Sequence, residues 1–230
     1  MSDVRSSSHV RIARLIFLPA LLSLAVTILR LIGERQGWSS RWFSTETGGP
    51  IPSGMTWLVG ITWLALPFGV YFAMRLAAAG RGPKRTAKAV GYAFTGMVIL
   101  LLVYSLLPRL TIGFPQILIF IWLAMAIPAA IQLLGWPELF KTLLAYGLAS
   151  RIPVVIVMFF AMHGNWGTHY DFVGMPEQFQ MPLWPRFFWL AFFPQLVFWV
   201  AFTILMGSLT GSIAFALLGK RRVADEAQVF

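Results

Sequence analysis

The sequence holds no cysteine. That excludes disulfides, thiolate metal sites and a cysteine nucleophile. Charge is scarce as well: 11% of residues are charged, against about 25% in a soluble domain. Only eight residues are acidic, and none falls deep inside an apolar run. A proton relay through a membrane needs buried acids in its spans, so a proton-driven pump is disfavoured. The three histidines, His9, His163 and His169, all sit at or beyond the ends of apolar runs. A bis-histidine haem needs them inside helices, and no cofactor is expected. Gly80-Arg81-Gly82-Pro83-Lys84 lacks the spacing of a phosphate-binding loop. No internal repeat is visible, so an inverted-repeat transporter draws no support.

What the chain has in abundance is apolar surface. Hydrophobic residues make up 58% of it, and the mean hydropathy is +0.76. A chain this apolar needs lipid as its solvent. The reading is an all-α, polytopic integral membrane protein: a single membrane domain, a bundle of about six transmembrane helices. The helices are expected near residues 12–32, 55–76, 89–107, 114–134, 138–162 and 187–218, with long loops over 33–54 and 163–186. Pro67 and Pro128 fall inside predicted helices, where a missing N–H kinks the chain. The last run, 187–218, exceeds what a bilayer requires, so it must tilt, break or leave the membrane. Pro194 and the patch Gly207-Ser208-Leu209-Thr210-Gly211-Ser212 are its expected break points. Gly207 and Gly211 also form a GxxxG pair suited to close helix packing.

The net charge is +10, but its distribution speaks against nucleic acid. The basic residues cluster between apolar runs, as topology signals do. With the N-terminus in the cytoplasm, twelve of the 18 lysines and arginines lie on the cytoplasmic side and five on the other. Both termini are then cytoplasmic, in the cytoplasmic (inner) membrane, with anionic lipids against the basic face. Both long loops face out.

Arg151 is the one charge placed well within a predicted span. It has three expected fates: snorkelling to the interface, bonding backbone carbonyls freed near Pro153, or binding an anion such as a lipid phosphate or a carboxylate. The most polar stretch between apolar runs is Met162 to Arg186. His163, His169 and Asp171 there are candidate ligands for a metal or another group. Glycines at 164, 167 and 174 let almost any spacing converge, so a loop capping the bundle is the preferred reading and no metal is expected. Trp166, Tyr170 and Trp184 are candidate contacts to a partner or to the membrane interface. So many aromatics would not float free in water, so the loop is expected to fold back on the helix ends.

Three function classes follow. The first is a non-catalytic structural or accessory subunit packing against a membrane partner, favoured by the lack of an evident buried polar pathway. The second is a small transporter or lipid-handling protein using Arg151. The third is a membrane enzyme with its site in the 163–177 loop.

Overall fold

The computed structural model of the protein describes residues 11–45, 55–109, 111–171 and 180–219. The remaining parts of both long loops, with Phe172, Pro176 and Glu177, lie outside the described residues, as do His9 and Lys220-Arg221-Arg222. Among the described residues every regular element is helical: α1 (Ile12–Arg35), α2 (Ala65–Ala78), α3 (Thr86–Leu106), α4 (Gln116–Gly135), α5 (Pro137–Gly164) and α6 (Leu183–Gly219), with short 3-10 turns between them. All but α2 are long and apolar enough to cross a membrane. The fold is an all-α membrane bundle.

The second expected span is not one helix over 55–76. Two 3-10 turns, Thr56–Val59 and Thr62–Leu64, precede α2, which has 14 residues. At about 1.5 Å per residue that is roughly 21 Å, short of a hydrocarbon core of about 30 Å. Pro67 explains the late start. It lacks an N–H, and it falls in the first turn of α2, where none is needed. Irregular backbone at membrane depth survives only where protein covers it, and Thr56, Ile61 and Leu64 are buried. The indole of exposed Trp63 donates to the Leu58 carbonyl at 3.1 Å.

The last run does not break. It forms a single helix of 37 residues. Its backbone widens into π turns at Phe188–Phe192, Pro194–Trp199 and Phe215–Gly219. A π turn absorbs the donor that Pro194 cannot supply without ending the helix. The small-polar patch at 207–212 is α-helical and largely buried. Helices α2 and α6 cross closely there: a Cβ built on Gly69 of α2 would stand 2.5 Å from the backbone of Gly207, and one on Gly211 would stand 2.7 Å from the Gly69 carbonyl oxygen. The Thr210 hydroxyl donates to the Leu66 carbonyl at 3.0 Å across the same crossing.

The interior divides into two apolar clusters along the bundle. One gathers Phe72, Leu76, Leu139, Leu143, Tyr146 and Leu205 toward the end that holds Glu138. The other gathers Leu64, Val154, Met158, Met162, Tyr170 and Leu190 toward the end that holds His169. Phe17, Leu18, Leu101 and Leu134 point outward and are exposed, at no cost in lipid.

Replacing Gly69 by alanine should overpack the α2–α6 crossing. The added methyl meets backbone, which cannot swing aside, and the expected cost is about 1–3 kcal/mol. Thermal unfolding in detergent should show a lowered midpoint. Gly91→Ala, with nothing within 4 Å of the added carbon, should leave it unchanged or raise it.

Candidate functional site

Proline at the first position of α5 and Glu138 in its first turn set up a long helix of 28 residues. Arg151 lies at its midpoint, between the two apolar clusters, and is 4% exposed. It neither snorkels nor turns to freed backbone carbonyls. Its Nη1 donates to Gln195 Oε1 of α6 at 3.2 Å, and its Nη2 donates to Thr62 Oγ1 at 3.3 Å. Its guanidinium carbon stands 5.0 Å from the centre of the Trp199 ring, a cation–π contact. The Nε is buried with no hydrogen-bond partner. None of the ion pairs among the described residues includes Arg151. Two neutral acceptors and a ring face hold the charge in place but do not neutralise it, and an uncompensated buried charge is costly.

Two departures of the backbone from α-helix create this nest. The 3-10 turn Thr62–Leu64 supplies Thr62, and the π turn Pro194–Trp199 supplies Gln195 and Trp199. Those three partners were not singled out from the sequence. They sit in apolar runs with no pattern that marks them.

Along α1, Ser23, Thr27, Arg30 and Glu34 recur at helical spacing, and Ser23, Thr27 and Glu34 are buried. This helix turns its polar stripe inward and Leu18, Leu21, Leu22 and Leu29 outward, which is stable only where lipid is the solvent. The Ser23 hydroxyl pairs with Tyr146 Oη at 2.8 Å, and the Tyr170 hydroxyl donates to the Thr27 carbonyl at 3.2 Å. A buried polar path therefore runs from Tyr146 on α5 to the loop after it.

At the end of that path the loop is fastened to α1. Glu34, expected at the start of a loop, is helical, and its side chain is fully covered. It accepts from Arg30 Nε at 2.8 Å and from the His169 backbone N–H at 3.0 Å, and it contacts His169 Nδ1. Burial pushes the His169 imidazole below its ordinary value, against the Glu34 carboxylate, which raises it. Asp171 accepts from the N–H groups of Gly167 and Thr168 at 2.9 and 2.6 Å and from the Thr168 hydroxyl at 2.9 Å. His163 lies in the last turn of α5 rather than in the loop; it is exposed and stacks on Phe159. The three candidate ligands are thus used separately, and the described residues contain no group of three His, Asp or Glu placed to hold a metal. Tyr170 is buried inside the protein, Trp166 lies half-buried under the Arg35 guanidinium at 5.3 Å, and Trp184 is exposed. The described part of the loop does fold back on the helix ends.

On the far side of Arg151 a cleft of about 240 Å³ opens between α4 and α6. Leu118 and Trp122 line it from α4, and Trp189, Pro194, Gln195 and Trp199 from α6. Gln195 and Trp199 thus face the cleft and Arg151 at once.

The His169 latch has a pH sign. Its neutral form is favoured when docked, so its contribution to stability is complete above the unfolded imidazole value of about 6.5 and is lost as the pH falls below it. Limited proteolysis between Thr168 and Asp171 should accelerate as the pH is lowered through that range. His169→Ala should remove the pH dependence. Comparison with known protein families, curated proteins and solved structures finds no match for the chain, so the functional reading rests on this geometry.

Proposed function

We propose that the protein is a small transporter or lipid-handling protein of the cytoplasmic (inner) membrane that binds an anionic group at Arg151. One observation carries the reading: a guanidinium buried at the midpoint of a long apolar helix, with its Nε unbonded and no carboxylate among the described residues paired to it. A group left so is an incomplete site. An anion completes it, because it supplies both the missing acceptor and the opposite charge. Intramembrane charges of this kind mark ligand paths. The inward polar stripe of α1 supports the same reading, because it gives the bundle a buried polar lane ending at Arg30, Glu34 and His169. The twelve-to-five bias of basic residues supports cytoplasmic termini, with anionic lipids against the basic Arg81–Lys88 face.

A second reading, an accessory subunit docked on a membrane partner, draws on the exposed Trp38, Trp42 and Trp184 at the end that holds His169. Such a rim also suits the lipid headgroup boundary. The membrane-enzyme reading is weaker, because Asp171 and His169 are engaged as fasteners of their own loop.

Native mass spectrometry of the protein released from mild detergent tests the proposal. Wild type should carry an acidic adduct. Arg151→Lys should lose most of it, because an ammonium lacks the planar fork, and Arg151→Ala should lose all of it. Equal adducts in all three proteins would refute the anion site. For topology, a reporter active only in the cytoplasm should work when fused at Lys84 and fail at Thr47. The reverse pattern would invert the orientation.

A further inference from the structure

We infer that the anion bound at Arg151 is the carboxyl head of a single-chain amphiphile, a long-chain fatty acid, whose tail lies in the cleft between α4 and α6. This rests on the anion site proposed above and names its ligand class.

The cleft has the right walls for a hydrocarbon chain. Leu118, Trp122, Trp189 and Pro194 line it, and its exposed surface is mostly apolar. Its volume of about 240 Å³ is below the roughly 300 Å³ at which pockets for compact drug-sized ligands begin. One chain suits that space better than the two of a phospholipid. The Trp122 and Trp189 rings are already stacked on each other, with centroids 5.5 Å apart, so they form a continuous wall rather than a slot for a flat ring.

The inner wall of the cleft is what connects it to the charge. Gln195 lines the cleft and accepts from Arg151 Nη1. Trp199 lines the cleft and carries the guanidinium on its face. A side-chain rotation of Gln195 away from Arg151 opens a way from the cleft to the unbonded Nε, which shares an edge of the guanidinium with Nη2, whose two hydrogens leave one beyond the bond to Thr62. Two N–H groups on one edge of a guanidinium are the pair that a carboxylate takes in a bidentate contact. The displaced Gln195 amide then offers an N–H to the same head group.

The head is a carboxyl group rather than a phosphate for a reason of charge. Arg151 lies at the midpoint of α5, so a ligand head must cross hydrocarbon to reach it. A carboxylic acid makes that journey uncharged, because an apolar medium favours its neutral form. A phosphodiester stays charged at neutral pH and meets the full desolvation cost. On arrival, ionised or not, the carboxyl oxygens accept from the guanidinium.

The test uses the full chain in phosphatidylcholine nanodiscs and reads quenching of tryptophan fluorescence by bromine, which reports tails near Trp122, Trp189 and Trp199. A fatty acid brominated in mid-chain should quench saturably, and its methyl ester should not. Arg151→Lys should weaken the affinity on the order of tenfold, the loss expected for a charge-assisted bond. Leu118→Phe, which fills the cleft, should weaken it comparably. Quenching that depends on Arg151 but not on Leu118 would overturn the tail seat while leaving the anion site standing. Arg151-dependent quenching by brominated phosphatidylglycerol, with none by the fatty acid, would overturn the carboxyl class alone. Quenching indifferent to Arg151 for both probes would overturn this inference and the anion site together.

Discussion

A guanidinium cannot be moved from water into hydrocarbon without compensation, and the interior of this bundle is arranged around one that is only half compensated. Arg151 lies between the two apolar clusters. Two of the places where the backbone leaves regular α-helix, the turn at Thr62 and the π turn at Pro194, bring its partners to it. A straight second span would carry Thr62 on a different path. An α6 without the π turn at Pro194 would aim Gln195 and Trp199 elsewhere. Each irregularity removes some regular hydrogen bonding and returns a contact to the charge, a pattern typical of π segments at functional sites.

Lipid as solvent explains the rest of the packing. Without a hydrophobic force between helices, association rests on close approach and on polar contacts. Gly69, Gly207 and Gly211 provide the first, at the α2–α6 crossing. The inward stripe Ser23, Thr27, Arg30 and Glu34 on α1 provides the second. Glu34 binds the loop after α5 through His169, so the polar stripe also sets where that loop lies.

How much of this could be read from the residues follows from the physics of each feature. The all-α membrane class was legible, because long apolar runs carry a signal that no soluble fold imitates. The early loss of helix at 55–64 was not, because Met55 to Leu64 is as apolar as a span. Pro67 lies inside the apolar run where a kink would fall, yet it marks a first turn. The continuity of α6 was hidden for a related reason. Pro194 and a glycine-rich patch resemble breaks, yet a π turn and tight packing accommodate them. Arg151 stood out as a lone charge, whereas Gln195 and Thr62 are neutral and gain meaning only from the fold. Ser23, Thr27 and Glu34 had a readable helical period, obscured by the habit of reading the apolar face of a helix as its buried one.

The most direct measurement is an experimental density map of the protein in lipid nanodiscs, at a resolution that shows side chains and bound molecules. The account predicts non-protein density within hydrogen-bonding distance of Arg151 Nε, continuous with density in the cleft beside Trp122 and Trp189. A guanidinium whose every N–H is satisfied by protein groups or by water alone, with lipid density confined to the outer surface, would contradict it.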